Sequence, residues 1–270
     1  MRERRDIVPG MKVVILCGGL GSRLRGETEF RPKPMVEVGG RPLLWHIMKL
    51  YAHHGFEEFV LCLGYRGEQI RQYFLDYQAL TRDLTVHLGR EPRLIVHGDA
   101  VEPWTVTLAD TGDSAMTGAR VKRIERYVDG DTFLLTYGDG VADLDVGALL
   151  AFHRRHGRIG TVTGVRPASR FGELLTAGTH VVEFSEKPTT SQGGYINGGF
   201  FVFSRAFFDY LTDDDGCVLE REPLERLAKD GQLEMYPHDG YWQCMDTPRD
   251  LQHLTEAWAR PSPPWKAWGR

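Results

Sequence analysis

The sequence predicts an α/β fold: a Rossmann-like mixed, mainly parallel sheet covered by helices on both faces, with a smaller mixed-sheet extension. Residues 12–77 alternate apolar, β-branched runs with stretches of helical spacing, the pattern of parallel strands joined by crossover helices. A buried run at 133–137 ends in TYGDG, and open α/β sheets place their ligands outside such strand ends. No Pro/Ser/Gly-rich linker or charge block divides the 270 residues. That predicts one domain over 11–260, flanked by tails at 1–10 and 261–270.

The elements follow in order. Residues 12–17 (KVVILC) are short, apolar and β-branched, and read as a buried strand. The strand runs into Gly18, Gly19 and Gly21, whose N–H groups can close on phosphate oxygens with no Cβ in the way. No convincing helix starts before residue 42, and irregular chain of that length in a compact domain is functional or disordered. Arg23 and the PKP at 32–34 decide for function, as a grip on a nucleoside triphosphate. The prolines on either side of Lys33 restrict the backbone and aim its ammonium.

A helix over 42–54 stops at Gly55, a strand spans 58–63 and a helix spans 66–77. Short strands at 85–88, 93–97 and 105–108 lie at the sheet periphery. A basic helix covers 117–128, a helix 144–156 and a strand 160–166. Residues 170–203 alternate and turn often, which suits the mixed-sheet extension. Helices at 205–211, 222–229 and 248–258, with a strand at 233–236, complete the body. The tail PSPPWKAWGR carries Trp265 and Trp268, which either pack back on the body or dock on a neighbouring subunit.

Lys plus Arg total 33 against 37 Asp plus Glu, a net charge of −4 that argues against a nucleic-acid surface held by bulk charge. Cys17, Cys62, Cys217 and Cys244 form no CxxC and read as free thiols. The first apolar run is too short for a signal-peptide core, and no run reaches a membrane span. The predicted compartment is cytoplasmic.

Several motifs carry chemistry. The glycine turn fails as a dinucleotide fingerprint at Leu24, and no GK[ST] supplies a Walker A loop. Asp139, at the end of its strand, is a candidate to hold Mg²⁺, a hard cation that completes its shell with phosphates and water. The same residue could simply begin a turn. Asp246, in YWQCMDTP, is either its partner or the N-cap of the next helix. In FSEKP, Glu186 suits sugar hydroxyls and Lys187 a second phosphate, unless the segment is an exposed charged turn. Asn197, with Gly198 and Gly199, allows close backbone approach to a small ligand. The segment DTGDSAMTGAR at 110–120 offers backbone groups and Arg120 to a base edge or a phosphate. His153 and His156 read as a solvated basic face rather than a metal pair. Asp143 and Asp145 read as solvated or capping residues, and Asp213, Asp214 and Asp215 as an exposed turn.

Taken in order, GGLGSRL, RPKPM, LLWHIMKLY, EPWTVTLADTGDSAMTGARVKR, YGDGVADLD, EKP, INGGFF and WQCMDTPRD resemble the sugar-1-phosphate nucleotidylyltransferases over nearly the whole chain. LWHIMK, the DTG…MTG…R segment and the W-Q-x-M-D-T ending resemble the branch that transfers cytidylyl groups. The resemblance implies a GT-A-like fold whose mixed-sheet extension serves sugar binding, with CTP and α-D-glucose 1-phosphate as substrates and CDP-glucose and pyrophosphate as products. It implies nucleotide contacts from Leu16, Cys17, Gly18, Gly19, Leu20, Gly21, Ser22, Arg23, Lys33, Ala115, Arg120 and Gly138. It places the sugar phosphate on Gly172, Glu186, Lys187 and Asn197, and Mg²⁺ on Asp139 and Asp246, with Arg23, Lys33 and Asp139 as the catalytic groups. It further implies a homo-oligomer, typically a hexamer. Ser22 stands where threonine is common, keeping the hydroxyl, and Ala115 stands where a hydroxyl residue is expected. Thymidylyl or uridylyl transfer, and a non-catalytic nucleotide-sensing role, are the alternative functions. An NAD-dependent enzyme is disfavoured by Leu24 and the PKP segment.

Overall fold

Strand β1 (Lys12–Leu16) divides its side chains between two cores. Val13 and Ile15 enter one apolar cluster, Val14 and Leu16 the other. A strand buried on both sides needs cover on both, which is why its sequence is a continuous apolar run rather than an alternation. The protein is described by a computed structural model that covers residues 10–19, 24, 26–99, 102–166 and 194–269, and the backbone of 173–177 and 180–185.

After β1 come the short pair β2 (Glu37–Val38) and β3 (Arg41–Pro42), helix α1 (Leu43–His53) and β4 (Glu58–Leu63). Helices α2 (Gly67–Leu75) and α3 (Tyr77–Thr81) precede the strands β5 (Leu84–His87), β6 (Arg93–Val96) and β7 (Thr105–Asp110). Helix α4 (Thr117–Arg123), β8 (Thr132–Tyr137), β9 (Gly140–Ala142), α5 (Val146–His156) and β10 (Gly160–Val165) follow. The rest is β11 (Glu173–Ala177), β12 (His180–Ser185), β13 (Ile196–Ser204), α6 (Glu222–Lys229), β14 (Leu233–His238), β15 (Trp242–Cys244) and α7 (Pro248–Trp258).

A seven-stranded sheet runs β14-β10-β13-β8-β1-β4-β7. Strands β7, β4, β1 and β8 are parallel, and β14 is parallel to β10. Only β13 opposes its neighbours β8 and β10. That reversal sets the start of β13 beside the end of β8, with Phe200 opposite Thr136. Helices α1, α5 and α7 pack into the cluster holding Val13, and α4 and α6 into the cluster holding Val14. The expected mainly parallel, doubly covered sheet is what the chain forms.

Four expectations change in detail. The strands expected at 85–88 and 93–97 pair only with each other, as the antiparallel β5–β6, apart from the main sheet. The helix expected over 66–77 breaks at Asp76, and the one over 117–128 tightens into a 3-10 turn at Glu125–Tyr127. The helix expected at 205–211 is likewise a 3-10 turn, Arg205–Tyr210. Most consequential is the unexpected ladder β9–β15, which joins Gly140–Ala142 to Trp242–Cys244.

His153 is not on a solvated face. It is 5% exposed, and its Nδ1 meets Thr161 Oγ1 at 2.9 Å, the same hydroxyl that His156 Nε2 meets at 2.7 Å. Burial, with His156 and Arg154 nearby, pulls the His153 pKa down to about 4, so the pair settles as a neutral hydrogen-bonded cluster. The tail folds back. Trp265 is fully buried, stacked on Tyr241 at 5.7 Å and on Trp258 at 5.8 Å. Cys17 and Cys62 are buried free thiols, while Cys217 and Cys244 are free and partly buried. Among the described residues, no helix is long and apolar enough to cross a membrane.

Candidate active site

The ends of β1 and β8 open into a cleft lined by Leu16, Gly18, Gly19, Lys33, Pro34, Thr117 and Arg120 together with Tyr137, Gly138, Asp139 and Asp246. A second hollow shares Tyr137, Asp139 and Asp246 with it and continues over Asn197, Gly198, Trp242 and Cys244. The two acidic residues therefore stand at the border between two adjoining spaces, an arrangement suited to two substrates that react with each other.

What brings residues 139 and 246 together is backbone. Asp139 immediately precedes β9, and Asp246 follows β15 by one residue. Cys244 pairs with Gly140, and Met245 N–H donates to Asp139 O at 2.8 Å, so the ladder carries both acids to one place. Lys33 lies between them: its Nζ donates to Asp139 Oδ2 at 2.7 Å and to Asp246 Oδ1 at 2.6 Å. Burial opposes the ammonium, but the two carboxylates outweigh it and hold Lys33 above the usual lysine range. The turn at Lys33–Met35, entered through Pro32 and continued by Pro34, fixes the direction of the side chain.

Two carboxylates that touch one small cation are within joint reach of a divalent ion. Among the described residues no cluster of three or more His, Cys, Asp or Glu forms a closed cage. A pair of hard oxygen donors whose remaining positions face an open cleft fits an ion that finishes its shell with phosphates and water. Cys244 Sγ lies 3.8 Å from Asp246 Oδ2, but burial first and Asp246 second push its pKa up to about 12. It stays a thiol, not a soft ligand.

Asp246 is not the helix cap. Thr247 is: its Oγ1 accepts from Asp250 N–H at 3.2 Å, while Asp250 Oδ2 accepts from Thr247 N–H at 2.8 Å, a closed capping box for α7. Asp250 Oδ2 also accepts from Asp246 N–H at 3.0 Å, which fixes the backbone of Asp246 without using its carboxylate. Of the other two acids, Asp145 caps α5 by accepting from Ala148 N–H at 2.9 Å, and Asp143 meets His238 Nε2 at 3.0 Å.

That last pair secures the turn from β14 into β15 and gives a pH test. Burial works against the His238 imidazolium, but Asp143 and the Tyr241 carbonyl outweigh it and raise its pKa from the ordinary 6.5. A raised folded pKa adds stability that is whole below 6.5 and fades as pH climbs through the folded value. His238→Gln is therefore expected to lower the urea midpoint most in acid, below about pH 6, and least in alkali. Equal losses at acid and alkaline pH would show that the ion pair contributes nothing.

The glycine turn is built for close approach. Gly138 N–H donates to Leu16 O at 3.0 Å, and a Cβ on Gly138 would sit 2.7 Å from that oxygen and 2.9 Å from Pro34. Gly18 lies directly on the Arg120 guanidinium, where any side chain would collide. Arg120 lines the cleft, but its guanidinium is 2.7 Å from Gly112 O, 2.8 Å from Thr111 Oγ1, 3.0 Å from Leu63 O and 3.2 Å from Asp113 O. Burial lowers its pKa from the usual arginine value. Its donors hold the 110–113 turn in place while the residue lines the cleft.

Cys17 is buried and lies behind the lining, its N–H donating to Cys62 O at 3.0 Å. Ala115 is buried too and is absent from the described lining; Thr117, two residues on, brings a hydroxyl there instead. Asn197 borders the second hollow, donating to Tyr137 OH at 3.1 Å. Leu20, Gly21, Ser22, Arg23, Gly172, Glu186 and Lys187 lie outside the described residues. Sequence reasoning missed Thr117, Tyr137, Pro34 and Trp242 as lining residues. Tyr137 was readable, one position before the GDG, whereas Trp242 enters only through the β9–β15 ladder.

Comparison with known proteins places these features. The family model for nucleotidyl transferases matches residues 12–259. A glucose-1-phosphate cytidylyltransferase of Salmonella typhimurium is 51% identical over 259 residues, covering 96% of this chain and 100% of that protein. A mannose-1-phosphate guanylyltransferase catalytic subunit beta of Dictyostelium discoideum is 29% identical, covering 89% of this chain and 62% of that protein. Among solved structures, HddC from Yersinia pseudotuberculosis superposes with a TM-score of 0.66 at 22% identity, covering 92% of this chain and 99% of that one, a likeness of fold.

Proposed function

The chain belongs to the nucleotidyl transferase family, and from that premise we propose that it transfers a cytidylyl group from CTP to α-D-glucose 1-phosphate. The observation that carries the chemistry is Lys33, held at 2.7 and 2.6 Å by Asp139 and Asp246 where two hollows meet. The choice of CTP and glucose 1-phosphate rests on likeness to the Salmonella cytidylyltransferase along the whole chain.

A phosphate oxygen of the sugar phosphate attacks the α-phosphorus of CTP in line. The bond from that phosphorus to the oxygen bridging it to the β-phosphorus breaks, and pyrophosphate leaves, so CDP-glucose forms with no covalent enzyme intermediate. Such transfers need positioning and charge neutralisation above all. Asp139 and Asp246 would hold a divalent ion, assigned here as Mg²⁺, which when bound neutralises charge building on the phosphates. Lys33 meets the triphosphate as a second cation, and Gly18 and Gly19 offer backbone N–H groups to its oxygens. Asn197 borders the sugar side, and the roles of Arg23 at the triphosphate and Lys187 at the sugar phosphate belong to the same proposal.

We assign the reaction to the cytoplasm, in keeping with the free thiols, and to a homo-oligomer, a hexamer by resemblance. The exposed Leu75, Leu80, Val86, Leu88 and Leu94 supply apolar surface for such an assembly to cover. Incubating the protein with Mg²⁺, glucose 1-phosphate and each nucleoside triphosphate in turn is expected to release pyrophosphate fastest with CTP and to yield CDP-glucose. A faster reaction with dTTP or UTP would reassign the base, and no turnover with any of them would leave a nucleotide-sensing role.

A further inference from the structure

A carboxylate holds two residues of the cleft lining from a segment to which the transfer chemistry assigns no role. Residues 213–220 run alongside the start of α4. Met116 N–H donates to Asp215 O at 2.9 Å, Gly118 N–H to Cys217 O at 2.9 Å, and Leu219 N–H to Thr117 Oγ1 at 2.9 Å. Asp215, expected to be part of a plain exposed turn, instead accepts from Ser114 Oγ at 2.6 Å and from Arg123 at 2.7 Å. The segment ends at Glu220. Its Oε2 accepts from Thr117 Oγ1 at 2.7 Å and its Oε1 from Tyr137 OH at 2.6 Å.

The polarity of both hydroxyls follows. A hydroxyl has one proton and two lone pairs, whereas a carboxylate offers acceptors only. Both protons therefore point at Glu220. Tyr137 OH in turn accepts from Asn197 Nδ2 at 3.1 Å, and Asn197 Oδ1 accepts from Gly199 N–H at 2.8 Å. Thr117 Oγ1 has spent its proton on Glu220 and one lone pair on Leu219 N–H, so only an acceptor remains for a ligand in the cleft. An acceptor oxygen repels phosphate. It suits a donor on the base, and the pyrimidines differ there: cytosine carries an exocyclic amine where uracil and thymine carry a carbonyl.

Resting on the reading that the cleft takes a pyrimidine nucleotide, we propose that Glu220 is a positioning residue for base choice. It fixes Thr117 as an acceptor and so favours an amine-bearing base over one with a carbonyl at that place. Substituting the carboxamide in Glu220→Gln keeps the size but turns an N–H₂ toward one hydroxyl, which frees that hydroxyl to donate into the cleft.

The test is kcat/KM for CTP and for UTP, with glucose 1-phosphate saturating, in wild type, Glu220→Gln, Thr117→Val and the double variant. The CTP-to-UTP ratio is expected to fall roughly tenfold in each single variant, one misplaced hydrogen bond's worth, with little further loss in the double. Should Glu220→Gln not fold, Thr117→Val reports the same ratio alone. Equal losses with both triphosphates in these variants would mean a structural role only and would overturn the inference. Wild-type turnover with an unchanged ratio in the variants overturns this inference alone, whereas no CTP turnover in wild type overturns the functional reading and this inference with it.

Discussion

Asp139→Asn and Asp246→Asn are each expected to cut turnover on the order of a hundredfold to a thousandfold, with the melting transition nearly unchanged. Each amide keeps the side-chain size but removes half the negative charge that would hold a divalent ion. The asymmetry between function and folding has a structural reason. The side chains are 31% and 20% exposed, and backbone atoms tie both residues into the fold, Asp139 O with Met245 N–H and Asp246 N–H with Asp250 Oδ2. An amide leaves those bonds intact. Losing a carboxylate also leaves Lys33 with one anionic partner instead of two, so its ammonium is less firmly placed for the triphosphate. Pyrophosphate release and thermal melting on the same samples check both halves. Near-normal release in both variants would remove the two acids from the chemistry; a collapsed melt would make them structural.

The second large effect lies in the buried tail, outside the lining of both hollows. Trp265→Ala is expected to destabilise the protein by about 3–5 kcal/mol, the range for deleting a buried large aromatic side chain. The indole is fully buried, and its Nε1–H faces His46 Nδ1 at 3.4 Å. His46 Nε2 meets Val38 O at 2.8 Å, so His46 is held neutral as a donor at one ring nitrogen and an acceptor at the other. Burial pulls its pKa down to about 4, in keeping with that state. Removing the indole opens a large cavity beside Tyr241 and Trp258 and strips a buried imidazole of a partner. Denaturant unfolding followed by tryptophan fluorescence and circular dichroism measures the loss; a shift below about 1 kcal/mol would mean that the neighbouring rings collapse to fill the space.

The parallel sheet was legible because β1, β4 and β8 are buried on both faces and so read as unbroken apolar runs. Lys33 and Asp139 stood out because prolines bracket the one and a strand end precedes the other. The convergence of Asp139 with Asp246 was a matter of motif order, not of local physics. The ladder that produces it is two strands of three residues, too short to carry a period. Asp246 competed with Thr247 for the cap, and only the hydrogen bonds of Asp250 separate them. His153 looked solvated because arginines surround it in sequence, yet one turn of α5 aims it inward at Thr161. Glu220 gave no signal at all: an exposed acid near a turn is an ordinary surface residue, and its meaning lies in two hydroxyls 103 and 83 positions upstream.

Because both acids are mounted on one short ladder, their gap behaves like the jaws of a calliper locked by main-chain rivets. Loops around the mouth can open or shut without changing that setting. Evolution can therefore rework the rims, and with them the choice of base and sugar, while the span between the jaws stays as it was.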